Sequence, residues 1–369
     1  MNFEFSEDAE LLREQARGFL QQNCPPAAVR AVLDGEQSYD AALTAKIAEM
    51  GWNATVIPEE HGGLGLSYYE LSVIAEELGR VAAPVPFSSS VYLATEALLA
   101  AGSEAQKAEW LPKLAAGEAI GTFAVAEAAG ESDLSKLSTS LSGGQLSGAK
   151  VPVPDAEAAD FAVVATGDGG GSLALVDLKG AGVEMEPVRM VDFTRGHSRV
   201  TFDGASAEAL GIEGVGNGLV QQIYNRAAVL FAWEQVGGAD AALEEAREYA
   251  MGRYAFGRPI ASYQAIKHKL ASMYVKNTLA RSNCYYGSWA LDTDAPELPL
   301  AAATARVAGT EAYHFASKEN IQTHGGMGFT WEFDCQFHYR RSRLLAVNIG
   351  SVNQWQDKLV TALEQSNAA

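Results

Sequence analysis

Between positions 121 and 210 the hydrophobic pattern of this 369-residue chain changes period, and that change limits the folds open to it. Before it, apolar residues recur at helical spacing. Within it come DFAVVAT, SLALVDL and RVTF, where they follow one another or alternate. From about Gly214 helical spacing returns, with Val229, Trp233, Val236, Ala239 and Leu243 on one stripe. Side chains repeat every 3.6 residues on a helix and every two on a strand, so the chain reads helix–strand–helix. A chain this long exceeds one ordinary core. We expect an N-terminal all-helical domain over 1–120, a middle β domain over 121–213 and a C-terminal helical bundle over 214–369.

Local signals sharpen this outline. Ser6 followed by Glu7, Asp8 and Glu10 opens a helix, because its hydroxyl caps an N–H and the acids face the positive end of the dipole. Leu11, Leu12, Ala16, Phe19 and Leu20 continue the stripe until Pro25-Pro26. Further helices are expected over 39–50, 68–80 and 301–315, with another stripe through Ile266, Leu270 and Met273. GDGGGS at 167–172 reads as a hairpin turn, not a phosphate loop, since no helix follows it. His61 reads as a loop histidine.

A net charge of −19 argues against nucleic acid or an anionic membrane surface as partner, although a local site can still take an anionic ligand. Cys24, Cys284 and Cys335 have no pairable spacing, so neither a disulfide framework nor a metal site is expected. The first residues lack a basic and apolar signal segment, and no run of about 18 apolar residues occurs. We expect no membrane span and a cytoplasmic location.

Residues 321–351 carry the strongest functional signal. Gly325, Gly326 and Gly328 interrupt a helical stretch, aromatics follow at Phe329, Trp331 and Phe333, and then come Arg340, Arg341 and Arg343. Glycine admits close approach of backbone to a ligand, so this turn with Gln322 suits a nucleotide; a plain inter-helix turn is the alternative. A second stretch, RYAFGRPIASYQ at 253–264, precedes it.

Together these stretches resemble the FAD-dependent acyl-CoA dehydrogenase family. PEEHGGLGLSYYEL at 58–71, with Glu76, Glu77, Gly79 and Arg80 after it, is similar to the family as well. So are the segment through Gly102, Gln106, Lys107, Leu111, Pro112 and Gly117, and DFTR at 192–195. The likeness spans nearly the whole chain. It implies an α+β fold with an N-terminal helical domain, a middle β-barrel-like domain and a C-terminal four-helix bundle. It also implies FAD held between the β domain and the bundle, partly across a subunit interface. The implied reaction is α,β-desaturation of an acyl-CoA thioester, in which a glutamate takes the α-proton and the β-hydride passes to the flavin.

Carried over by position, Arg253 suits the pyrophosphate, where guanidinium contacts are charge-assisted. Phe256 packs near the adenine, and Gln264 belongs to the same segment. Gln322, Gly325 and Gly326 lie along the ADP portion, and Ser351 is a further cofactor-binding position. Ser132 falls near the pantetheine and the flavin. Arg226 matches an arginine that helps hold CoA, with a helix-surface salt bridge as its alternative.

Several positions depart from the family. Ala128 replaces a proline and Glu131 a glycine. Lys150 is followed by Val151, Pro152, Val153 and Pro154 instead of a Trp-Ile-Thr wall, so the aromatic shield and hydroxyl donor are lost, and Pro154 has no N–H. The catalytic glutamate of a Glu-Gly-Thr turn is Ile349 here, and the alternative base position, one residue before Arg226, is Asn225. Neither accepts a proton at neutral pH. Glu332, Glu234 and Glu245 are not convincing replacements, and Tyr224, with an ordinary pKa of about 10, is a poor base. The expectation is therefore a subunit without its own catalytic glutamate, in a homo- or hetero-oligomer (dimer or tetramer) of related chains acting on acyl-CoA. The alternatives are a silent structural partner, a dehydrogenase with a displaced base, glutamate-independent flavin chemistry, and a non-flavin interaction module on this scaffold.

Overall fold

A computed structural model describes residues 5–35, 37–128 and 133–368. Six helices come first: α1 (Glu7–Asn23), α2 (Pro26–Asp34), α3 (Ala41–Glu49), α4 (Tyr68–Arg80), α5 (Glu96–Ala101) and α6 (Glu104–Ala116). Seven strands follow: β1 (Gly121–Ala124), β2 (Ser140–Ser142), β3 (Gln145–Pro154), β4 (Phe161–Thr166), β5 (Ser172–Asp177), β6 (Val183–Pro187) and β7 (His197–Leu210). Then come α7 (Gly216–Gly252), a small hairpin of β8 (Tyr254–Ala255) and β9 (Arg258–Pro259), and helices α8 (Gln264–Asp292), α9 (Leu298–His324), α10 (Gln336–Leu345) and α11 (Val352–Ala368). The helix–strand–helix order expected from the periodicity is observed. By contacts the chain divides into two units, Met1–Ala31 with Tyr68–Ala83 and Ala228–Ala369, and Val32–Ser67 with Pro84–Ala227.

The second unit is built on β7. Its fourteen residues pair with β3, β5 and β6, giving the order β1-β4-β5-β7-β3-β2 with β6 also on β7. Among the described strands only β1 and β4 run parallel. Along β7, Val200 and Phe202 are buried while Arg199 and Asp203 are exposed, the alternation of a sheet with one covered face. Val200 and Phe202 join Ala124, Leu146, Val153, Val164 and Val176 in the core. The barrel-like expectation holds without full closure: the described ladders do not close, but the end of β1 lies against β3, where the Val151 N–H donates to the Ala126 carbonyl at 2.8 Å. The 167–172 segment is the expected hairpin turn, joining antiparallel β4 and β5.

In the first unit α1 begins where its signals placed it, with the Ser6 hydroxyl accepting from the Ala9 N–H. Pro26 does not merely end that helix but opens α2, because a proline at the first helical position loses no hydrogen bond. Helix α4 buries Glu76 and Glu77 along with its apolar residues. Glu76 is bonded by Arg13 and Arg281, and Glu77 takes two hydrogen bonds from Arg17 at 3.0 and 2.7 Å. These ion pairs tie α4 to α1 and α8. Helix α4 crosses α7 at two glycines. A Cβ on Gly79 would lie 1.9 Å from the Glu234 carbonyl oxygen, and one on Gly237 would lie 1.9 Å from that of Glu76. Only glycine permits this approach.

Candidate active site

The hairpin after α7 shows a large apolar side chain to solvent. Phe256 and Gly257 form its two-residue tip with φ of 52° and 79°, the positive pair that a type I′ turn demands. A phenylalanine in this region is strained, and its ring is 98% exposed. The root of the hairpin is firm: the Tyr263 hydroxyl donates to the Ala255 carbonyl at 2.9 Å, and Arg258 lies 4.0 Å from the Tyr263 ring centre. Arg253 at the root and Gln264, first residue of α8, are both exposed.

The glycine turn begins where α9 ends. Gly325 has a φ of 61°, and neither it nor Gly326 has any atom within 4 Å of a built Cβ, so their backbone is open. Gly328 differs, since a Cβ there would meet the Ile321 carbonyl oxygen at 2.4 Å. Gln322 is exposed one turn earlier. The hairpin and the glycine turn are brought together by buried His324, whose ring lies 4.2 Å from that of Tyr249, the residue one turn before Arg253. Phe333 meets the other partners of this stack, 5.7 Å from His324 and 6.4 Å from Tyr249.

The remaining positions lie elsewhere. Ser351 is the N-cap of α11: its hydroxyl accepts from the Gln354 N–H at 3.4 Å and its own N–H donates to Gln354 Oε1 at 2.8 Å. Ile349 is buried, and its carbonyl accepts from the Trp355 indole at 3.1 Å. In the second unit Arg226 Nε donates to Glu96 Oε2 at 2.8 Å, and Glu96 is 1% exposed. Asn225 is half-buried beside it, and Tyr224 packs edge-on against Phe123 at 6.0 Å. Ser132 and Glu131, with residues 129 and 130, fall outside the described residues. Ala128 lies just before that gap.

The carboxylates considered as replacement bases are mostly engaged. Glu234 is buried and pairs with Arg341 at 3.3 Å, and Arg341 also donates to the Ala82 and Ala83 carbonyls. Arg341, part of the basic run, is thus an internal scaffold residue. Glu245 accepts from Asn320 at 2.7 Å and faces His338 at 3.4 Å; although burial alone would raise its pKa, His338 and Asn320 bring it below the ordinary value. Glu332 is exposed. Burial pushes the Tyr224 phenol upward, further from use as a base.

Two features escaped the sequence. Glu96 meets Arg226 across 130 positions, a separation no periodicity bridges. Lys150, completely buried, donates to the Val125 carbonyl at 3.0 Å and to Glu127 at 3.1 Å. Glu127 also accepts from the Ser138 N–H and hydroxyl and from the Thr139 N–H, each within 2.8 Å. Burial works to raise its pKa, but these hydrogen bonds hold it well below the carboxylate range. Among the described residues no cluster of His, Cys, Asp and Glu fits a metal, and no helix is long and apolar enough to cross a membrane.

A helical N-terminal part, an open central sheet, C-terminal helices and this exposed hairpin beside a glycine turn define the class of protein. The acyl-CoA dehydrogenase N-terminal domain profile matches residues 6–118, and the acyl-CoA dehydrogenase C-terminal domain profile matches residues 214–355. The chain belongs to the acyl-CoA dehydrogenase family. It is 34% identical to the acyl-CoA dehydrogenase IpdE2 of Mycobacterium tuberculosis over 91% of either chain. It is 30% identical to the mitochondrial short-chain specific acyl-CoA dehydrogenase of Bos taurus, over 94% of this chain and 88% of that one. Among solved structures, the Tcur3481–Tcur3483 steroid ACAD superposes with a TM-score of 0.89 at 26% identity, covering 98% of this chain and 99% of that one.

Proposed function

We propose that this chain is a subunit of an FAD-dependent acyl-CoA dehydrogenase and does not supply the catalytic base. The observation that carries this is the combination of Ile349 and Asn225 at both family base positions with an exposed hairpin and open glycine turn. An isoleucine 2% exposed and a carboxamide have no proton-accepting function at neutral pH. The residues present fit the nucleotide end of FAD. Arg253 offers a guanidinium to the diphosphate, Phe256 an exposed ring to the adenine, and Gln322 an amide beside backbone that no Cβ obstructs. Gln264 and Ser351 complete the proposed cofactor positions. The bound flavin supplies the hydride acceptor. At its ring end Val151 to Pro154 offer neither hydroxyl nor aromatic, so the partner chain supplies that wall and the glutamate. Ser132 and Arg226 contact CoA.

The names of the relatives support the substrate class. IpdE2 and the short-chain enzyme are named as acyl-CoA dehydrogenases, and the steroid ACAD is named with a pair, Tcur3481–Tcur3483. The proposed assembly is likewise an oligomer of unlike related chains. A second reading, a self-sufficient dehydrogenase, is favoured by Glu96, a buried carboxylate 2.8 Å from the arginine that follows Asn225.

Flavin content of the purified chain, with anaerobic titration by acyl-CoAs, separates the two. The proposal expects flavin and bleaching only when a related glutamate-bearing chain is co-purified. About one FAD per isolated chain with bleaching by substrate sinks it. If Glu96→Gln then abolishes bleaching while leaving flavin bound, Glu96 is the displaced base. Yellow protein that no acyl-CoA bleaches indicates different flavin chemistry.

A further inference from the structure

Arg306, on α9, is buried to 1% exposure, and the proposed function does not use it. Its Nη2 donates to the Leu345 carbonyl at the end of α10 and to Asn348 Oδ1 at 2.7 Å. A guanidinium carries five N–H groups, of which three are on Nε and Nη1. Both of these nitrogens are buried and have no partner among the described residues. The carboxylate that acts on Arg306 through space is Glu234, and Glu234 is already held by Arg341. The Phe231 ring centre lies 5.7 Å from the guanidinium carbon.

A second cation adds to the positive charge. Lys358 of α11, its ammonium 4.0 Å from the Trp355 ring centre, is lowered to about 8 by burial and then by the charge of Arg306. Burial lowers Arg306 itself to about 9, so both remain protonated at neutral pH. Removing a guanidinium from water with only a carboxylate shared with Arg341 to offset its charge is costly, and leaving its N–H groups unbonded adds to that cost.

We infer that Arg306 binds a small monovalent anion of chloride size at Nε and Nη1, inside the helical unit. A water molecule would satisfy the donors but not the charge, whereas a halide does both. The buried setting selects a compact anion over a phosphate or an organic carboxylate.

The test takes the whole chain in its native assembly. Crystals grown in chloride and soaked in bromide should show an anomalous peak bonded to Arg306 Nε and Nη1. In solution, Tm at constant ionic strength should rise saturably as sodium gluconate is replaced by sodium chloride, because a ligand that binds only the folded state stabilises it. Arg306→Met should erase that dependence, and Lys358→Met should weaken halide affinity several-fold. Should Arg306→Met fail to fold, the bromide map and Lys358→Met still decide. Water at the site, bromide confined to the surface, or equal Tm in gluconate and chloride overturns the inference.

Discussion

At Glu127 two backbone N–H groups, a hydroxyl and the Lys150 ammonium converge on one carboxylate. Its folded pKa lies below the ordinary 4.5, so the unfolded chain binds the proton more tightly. The stability it contributes is complete above pH 4.5 and is lost as pH falls toward the folded value. Glu127→Gln should therefore be less stable than the wild type at pH 7, with the gap closing below pH 4.5; a gap constant from pH 7 to acid would remove this role. Arg341 makes the complementary case. Arg341→Met strands Glu234 and two backbone carbonyls in the interior and should cost about 3–5 kcal/mol by urea denaturation. The sequence showed Arg341 as part of a basic run and Lys150 only as the residue before Val151 to Pro154, because only folding reveals which charges are taken inside. Gln322 and the two glycines stood out earlier through residue type and short spacing, and Arg253 through the likeness of its segment to the family.

The β8–β9 hairpin sets stability against binding within one short element. Phe256→Asn places at φ 52° a residue that tolerates left-handed backbone. It should raise stability by about 0.5–1 kcal/mol while lowering flavin retention of the assembled enzyme. Melting curves and bound-flavin absorbance check the two halves separately, and unchanged flavin retention would remove Phe256 from the proposed cofactor site. The α4–α7 crossing gives a second contrast. Alanine ordinarily favours a helix over glycine by about 1 kcal/mol, and Gly18 of α1, with no atom near a built Cβ, should follow that rule. Gly79→Ala and Gly237→Ala should reverse it, losing about 1–3 kcal/mol through overpacking, as denaturant titration would show. Element order and the starts of α1 and α4 were legible because caps and periodicity are local. The crossing was not, since a close approach between distant segments leaves no periodic trace. Strand order was not legible for a similar reason: it depends on pairings such as β5 with β7, which no local pattern specifies.

Across the whole chain, large apolar side chains meet solvent at Tyr254, Phe256, Tyr274, Leu279 and Phe329, while the net charge is −19. An acidic surface limits indiscriminate association, so apolar exposure of this kind accords with specific partners. Sedimentation of the material that retains flavin should give a mass above the 39.1 kDa of one chain. A flavin-bearing monomer would contradict the proposed assembly. The family was readable from the sequence because its motifs span nearly the whole chain. Subunit composition was not, since the side chains at Ile349 and Asn225 say nothing about which other chains assemble with this one.

The reciprocal glycines of the α4–α7 crossing also bear on how the chain can vary. Each would-be methyl group meets the other helix's main chain, which no compensating side-chain change can remove. A saturation-mutagenesis screen scored on activity should therefore find Gly79 and Gly237 as intolerant as residues that bind the cofactor. Steric conflict alone would make this pair look catalytic.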